Sequence, residues 1–237
     1  SVVRSSSGAL TFQVSSGAAG ITVDPTQGTG ANLLNVPITL SSPVTIANDN
    51  GPVVAGGTLF PRALTISGPL SGSGNITIAG SGEVIFSGSN LPWSGALEIT
   101  SGTLTAAASS SLGAISAGVL VDVGGVLAIQ NGVNLNKPIT LAGGTLAGKA
   151  SSLSPQSYSG TLTVTQDSTL AAIGTGTVQG GLSLGGAING AGNLTVASGN
   201  FTFAGIDGLT GRLIIAGGSL TIGFSASALN VSRVDVS

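Results

Sequence analysis

The chain has 237 residues with 6 Lys/Arg, 8 Asp/Glu, no His and no Cys. Without His or Cys there are no disulfides, no imidazole or thiolate metal ligands and no conventional general base. A net charge of −2, one Trp and one Tyr provide neither a basic surface for phosphates nor a stacking platform, so we expect no nucleic-acid partner.

The first predicted elements are short strands near the N terminus. Residues 9–14 and 20–23 alternate apolar and polar side chains on either side of a Ser/Gly turn, which is the pattern of half-buried strands. The segment 32–40 then recurs as 133–141, and in both copies a proline, Pro37 or Pro138, is expected to open a strand, where its missing N–H is tolerated.

A glycine-rich phrase dominates the middle of the chain. Residues 72–80 read GSGNITIAG and recur as GAGNLTVAS at 190–198. Each copy combines a glycine turn, an asparagine and a strand of period two. We expect Asn75 and Asn193 to lie in turns, where asparagine tolerates the left-handed conformation.

Two further phrases repeat in the same order: 95–105 as 211–221, and 121–123 as 234–236. The offset between matched residues is 101 for the proline phrase and 118 for the GxGN phrase, so the second half carries 17 extra residues between Thr140 and Asn193. That is about one turn of a solenoid with coils of roughly 20 residues. The sequence predicts one domain, 1–237, with a first half of about 1–130 and a duplicated second half, 131–237, containing an extra coil near 153–181.

These features favour an all-β fold, a single parallel β-helix (β-solenoid) with an internal duplication. A repeated unit that cannot bury its apolar face alone is stabilised by stacking on its neighbours. A propeller, a sandwich and a barrel are the rival architectures. Sandwiches and barrels do not predict a long duplication with a slip of one coil.

The segment 70–113 resembles the autotransporter-associated β-strand repeat of bacterial surface proteins. The matching motifs are the GxGN strand at 72–78, the strand at 82–88, the Trp-Ser-Gly turn at 93–95, Gly-Thr-Leu at 102–104 and Leu-Gly at 112–113. The second copy departs from the pattern because no aromatic residue precedes Thr210-Gly211. The resemblance implies a right-handed parallel β-helix on a cell surface or in secreted material.

Candidate catalytic and metal-binding residues are few, and the prediction is that the chain is not an enzyme and has no catalytic, cofactor or metal site. Ser183 lies in a G-x-S-x-G pattern but has no histidine base. Glu83 and Glu98, placed one coil apart, are candidates for a stacked carboxylate pair of the glycosidase type, although two solvated charges are the simpler interpretation. Asp122 and Asp235 are expected to point outward, with a weak calcium site as the alternative.

Other polar and aromatic residues suggest binding only weakly. Four Asn-x-Ser/Thr sequons occur, at Asn75, Asn193, Asn200 and Asn230. Thr-x-Thr pairs such as Thr103/Thr105, the run Thr161/Thr163/Thr165, and Thr195 near Thr202 resemble the threonine ladders of ice-binding β-helices, but they do not recur at one spacing. Trp93 and Tyr158 are either sugar-binding residues or, more simply, fillers of turns.

We therefore expect a non-enzymatic structural or adhesive protein, extracellular or on the cell surface: a rigid rod without cofactors that associates with itself through its open ends or binds surface glycans or other cells. A carbohydrate-binding or carbohydrate-active β-helix (tailspike-like or lyase-like) and an ice-binding β-helix are the alternatives. No run of about 20 apolar residues predicts membrane insertion. Since the sequence begins Ser-Val-Val-Arg, we expect a mature protein or a piece of a longer one.

Overall fold

The computed structural model describes residues 2–4, 8–24, 32–50, 53–55, 58–60, 62–150, 156–174, 180–204, 206, 208–223 and 233–236. Across these residues the regular structure consists of strands alone. All but one of the pairings between these strands are parallel, and strands pair with the coils before and after them. The predicted fold class, an all-β parallel β-solenoid, is confirmed.

The solenoid has three faces, which the chain visits in a fixed order. Face 1 is an eleven-stranded sheet. Its strands are β1 (Val2–Arg4), β4 (Asn32–Asn35), β9 (Leu64–Ile66), β12 (Glu83–Phe86), β14 (Gly102–Ala106), β16 (Gly125–Gln130), β19 (Thr145–Ala150), β22 (Ser168–Gly174), β25 (Leu194–Val196), β28 (Arg212–Ile215) and β30 (Arg233–Val236).

Face 2 is a nine-stranded sheet that precedes face 1 in each coil. Its strands are β3 (Ala19–Val23), β6 (Val44–Asn48), β11 (Ile76–Ala79), β13 (Leu97–Ile99), β15 (Val119–Asp122), β18 (Ile139–Ala142), β21 (Leu162–Gln166), β24 (Ile188–Gly190) and β27 (Gly208–Leu209).

Face 3 follows face 1 and is divided into two sheets. The first contains β2 (Leu10–Phe12), β5 (Ile38–Leu40) and β10 (Leu70–Gly72), and the second contains β17 (Asn134–Leu135), β20 (Ser157–Tyr158), β23 (Gly181–Leu184), β26 (Asn200–Phe203) and β29 (Ser219–Ile222). Between these sheets, two coils cross face 3 at 87–96 and 107–118 without a strand; we call these two segments the face-3 gap. Outside the three faces, β7 (Val53–Ala55) and β8 (Thr58–Phe60) form an antiparallel pair.

The core is the column of inward side chains that alternation predicts. Ile76 is 1% exposed and Val196 is fully buried, as are Ile78 and Leu194, while the intervening Thr77 and Thr195 are partly exposed. Pro37 and Pro138 directly precede β5 and β18, so the predicted strand openings are confirmed.

The repeated phrases lie on different faces. Ile76 is on face 2 and its counterpart Leu194 is on face 1, while the proline phrases place β5 on face 3 and β18 on face 2. The chain visits the faces in the order 2, 1, 3, so the second copy of each of these two phrases lies one face further along this order than the first copy. In chain order, β18 is the fifth strand on face 2 after β5, whereas β25 is the sixth strand on face 1 after β11. The number of coils between the two copies thus rises from five for the proline phrase to six for the GxGN phrase, as an inserted coil requires. The duplication itself stays a prediction.

The asparagines of the GxGN phrase lie in the turns between strands, as predicted, but they do not adopt the left-handed conformation. Among the described residues, positive φ angles belong to glycines, including Gly72 (92°) and Gly190 (114°). The Oδ1 atoms of Asn75 and Asn193 instead accept hydrogen bonds from the backbone N–H groups of Ala96 (3.0 Å) and Arg212 (2.9 Å) in the next coil. The glycine at the start of each phrase supplies the positive φ of the turn, which leaves the asparagine amide to connect two coils.

Candidate functional site

The proposed carboxylate pair does not exist. Glu83 is on face 1 and Glu98 is on face 2, where Glu98 pairs with Thr77 and Leu120. Glu83 Oε1 accepts hydrogen bonds from Thr105 Oγ1 and from Lys149 Nζ. The two glutamates are only 15 residues apart in the sequence, which is less than a coil, so they cannot occupy equivalent positions of successive coils.

Ser183 lies at the centre of an outward polar column on face 3. It is exposed on β23, between Ser157 and Thr202 in the neighbouring coils. Asn134 and Thr221 extend this column at its two ends. None of these neighbours is a base, so the arrangement provides no means of activating the Ser183 hydroxyl.

The two aspartates expected to correspond also occupy different faces. Asp122 ends β15 on face 2, whereas Asp235 is on face 1 and forms an ion pair with Arg212. Among the described residues, no three Asp and Glu side chains are grouped where they would hold a metal ion.

Trp93 and Tyr158 are both buried, so neither is available to a sugar. Trp93 Nε1 donates to Gly74 O (2.8 Å), and Tyr158 Oη lies 2.7 Å from Lys137 O and 2.5 Å from Thr161 O. Both indoles and phenols need a hydrogen-bond partner when buried, and here backbone carbonyls at the corners of the coils provide it. Burial raises the pKa of the Tyr158 hydroxyl. Trp93 and Tyr158 therefore fill corners of the coils, in agreement with their interpretation as fillers of turns and not as sugar-binding residues.

Lys137 is a buried polar residue that sequence reasoning missed. It is 3% exposed, and its Nζ donates to Leu112 O (2.7 Å) and Ala114 O (2.6 Å), both in the face-3 gap. Burial lowers the pKa of the Lys137 amine to about 8. The sequence does contain a signal for this burial. Apolar residues alternate with polar ones at Val133, Leu135 and Ile139, and Lys137 occupies the inward position between the last two.

Threonines form a column that their irregular sequence spacing conceals. On face 1 the register places Thr103, Val126, Thr145, Thr169 and Thr195 in one outward line across five consecutive coils. The other threonines singled out from the sequence are distributed differently: Thr163 is on face 2 and Thr202 is on face 3.

The described sequons differ in their bonding. Asn75 is exposed; Asn193 donates through Nδ2 to Asp167 (3.0 Å). Asn200 accepts a hydrogen bond from Ser219 Oγ (2.8 Å), and Asn230 lies outside the described residues. The two hydrogen bonds from Asn193 lower the pKa of Asp167.

Comparison with known proteins gives no match among protein-family models, curated proteins or solved structures. Within the described ranges, the structure contains no helix with the length and apolar character needed to cross a membrane.

Proposed function

We propose that this chain is a non-enzymatic structural module, a rigid β-helical rod that acts outside the cell, at a cell surface or in secreted material. The observation that carries the proposal is the continuity of face 1, in which eleven strands pair without interruption. At about 4.8 Å per strand such a sheet is roughly 50 Å long.

The interior and the surface both support this role. The inward columns are packed with aliphatic and aromatic side chains over the whole series of coils, which leaves the solenoid stiff along its axis. The acidic residues that suggested chemistry, Glu83, Glu98, Asp122 and Asp235, are distributed over two faces. Function in such a molecule resides in shape and repetition, with adhesion to glycans or other cells, or self-association at its ends, as the modes of action.

Electron microscopy of negatively stained protein over a range of concentrations tests the proposal. We expect straight particles of uniform width, either single rods or filaments. A globular particle would contradict it. An assay against a panel of polysaccharides is the complementary test, since turnover that Glu83→Gln or Glu98→Gln abolishes would indicate a carbohydrate-active protein instead.

An ice-binding function is the second candidate, and the threonine column on face 1 favours it. In two consecutive coils this column has an accessible alanine two residues further along the chain, at Ala171 and Ala197, whereas Ala147 in the coil before is fully buried. Regularly spaced hydroxyl and methyl groups are what an ordered water layer would contact. The test is thermal hysteresis, which Thr169→Lys should abolish and Thr163→Lys, on face 2, should leave unchanged.

A further inference from the structure

The position of Lys137 is special because glycine or alanine occupies it in neighbouring coils. It lies two residues before a face-2 strand, at the inward corner between faces 3 and 2. The strand registers align it with Gly95, Ala117, Gly160 and Gly186. A Cβ on Gly160 would lie 2.0 Å from Lys137 O, and one on Gly186 would lie 1.8 Å from Gly160 O, so this corner is too tight for side chains in the coils that follow.

Space for the lysine exists because the preceding coil crosses face 3 without a strand. The segment 107–118 follows β14 as a series of turns. In a regular coil, the carbonyls of residues such as Leu112 and Ala114 are satisfied by a strand of the next coil. Here Leu112 O accepts a hydrogen bond from the Lys137 amine, and Ala114 O accepts one from the same amine and one from Ala117 N (3.2 Å).

The residue between these two carbonyls packs on Trp93. A Cβ on Gly113 would lie 2.7 Å from Cε3 of the Trp93 ring, and Ala114 N donates to Trp93 O (2.8 Å). Lys137 thus holds the two residues that flank the contact between segment 107–118 and the indole.

The surroundings of the amine contain no compensating negative charge. The four stretches of chain around it are 87–96, 107–118, 131–142 and 156–163, and their titratable side chains are Lys137 itself and Tyr158, whose hydroxyl bonds to the Lys137 carbonyl. The ion pairs of Lys149 with Glu83 and of Arg212 with Asp235 do not involve Lys137. A charged amine without a partner is costly to bury, whereas a neutral amine still donates two hydrogen bonds.

We propose that Lys137 is the internal anchor of segment 107–118, and that this segment opens more readily when the amine is protonated than when it is neutral. The segment is therefore a conformational element of the rod whose opening depends on pH. Opening exposes the amine to water and restores its ordinary affinity for protons.

The direction of the pH dependence follows from the lowered pKa. The closed state loses its proton near pH 8, while the open state holds it up to about pH 10.5. The closed state consequently gains stability as pH rises through this window. The equilibrium constant for opening of segment 107–118 should fall by on the order of a hundredfold between pH 7 and 10.5.

Two measurements test the proposal. The chain has two lysines, Lys137 and Lys149, so the ¹³Cε signals of labelled wild-type protein report both amines; we expect one to titrate near pH 8. The second measurement is the rate of subtilisin cleavage within 107–118 at each pH, expressed as the ratio of variant to wild type so that the pH dependence of the protease cancels.

For Lys137→Met we expect faster cleavage than in wild type, with a ratio that rises by tenfold or more from pH 7.5 to 10. The control Lys149→Met should keep a constant ratio. A ratio for Lys137→Met that stays level with pH, or both lysines titrating above pH 10, would overturn the proposal. If Lys137→Met fails to fold, Lys137→Gln takes its place in the cleavage assay. The ¹³Cε titration uses wild-type protein and therefore tests the proposal whether or not either variant folds.

Discussion

Some glycines at the corners of the coils have no room for an added methyl group, so that replacing them with alanine should lower the free energy of unfolding. A Cβ on Gly74 would lie 2.1 Å from Ser42 O in the preceding coil, whereas one on Gly118 would find its nearest neighbour, Pro138 O, at 3.9 Å. Neither residue has a positive φ, so the comparison isolates the close approach of two coils from backbone strain.

We therefore predict that Gly74→Ala lowers the free energy of unfolding by about 1–3 kcal/mol, the usual cost of overpacking. Gly118→Ala should change it by less than about 0.5 kcal/mol. Urea unfolding followed by far-UV circular dichroism measures both. Equal effects of the two substitutions would mean that the coils separate easily at this corner.

Adjacent inward and outward positions provide a second comparison. Val196 is fully buried, whereas Thr195 next to it points outward between Thr169 and Ile214. Val196→Asp should destabilise the protein by more than about 3 kcal/mol because it buries a charge without a partner. Thr195→Asp should cost less than about 1 kcal/mol. Thermal melts of the two variants check this, and similar melting temperatures would refute the assignment of the inward face.

Residue roles were predictable from the sequence where they depend on alternation alone. The burial of Ile76 and Val196 follows from period two. The placement of Glu83 and Glu98 on different faces depends instead on the number of residues in each corner, which the alternation does not give. The same limitation concealed the threonine column on face 1. Lys137 escaped notice because lysine is rarely buried without a partner, so an inward position in the alternation was not enough to identify it.

Among the elements, the face-3 gap is held by two buried side chains: Lys137 bonds to segment 107–118, and Trp93 packs within the gap. The Trp93 ring packs against Gly113 of the next coil and donates to Gly74 O of the preceding one, so it connects three coils where strands are missing. Asn90 assists by accepting from Leu70 N (2.8 Å) and donating to Ser111 O (2.5 Å).

Trp93→Leu should therefore lower the free energy of unfolding by about 3 kcal/mol, because it creates a cavity and leaves Gly74 O without the indole donor. Leu91 in the same segment is 57% exposed, and Leu91→Ala is the matched control, with an expected change within about 0.5 kcal/mol. Circular dichroism is the suitable probe, since the variant lacks the indole. A loss for Trp93→Leu no larger than that of the control would show that the gap is held by other contacts.

The order of strands was predictable, but their distribution over faces was not. The GxGN phrase specifies a glycine turn, an amide that bonds to the next coil and a strand of period two, and this unit works at more than one corner. Asn75 precedes a face-2 strand and Asn193 a face-1 strand, yet each bonds to the next coil in the same way. Since the phrase is local, matching copies in the sequence do not reveal which face they occupy.

At the scale of the whole molecule, the outermost strands determine how the isolated chain associates. Within face 1, β1 and β30 each pair with a single described strand, β4 and β28. Backbone N–H and C=O groups on the other side of such strands invite pairing with another chain. Since the net charge is only −2, little electrostatic repulsion opposes the approach of a second copy.

We predict that purified chains associate end to end, a heterologous contact that does not close and therefore produces filaments. Sedimentation velocity over a range of concentrations should show mass increasing with concentration, and electron microscopy should show filaments as wide as one solenoid, because stacking along the axis adds length only. Charge screening distinguishes backbone pairing from association through charged side chains: added salt should leave the filaments intact. A monomer that persists at the highest concentration, or particles that widen as they grow, would contradict stacking along the axis.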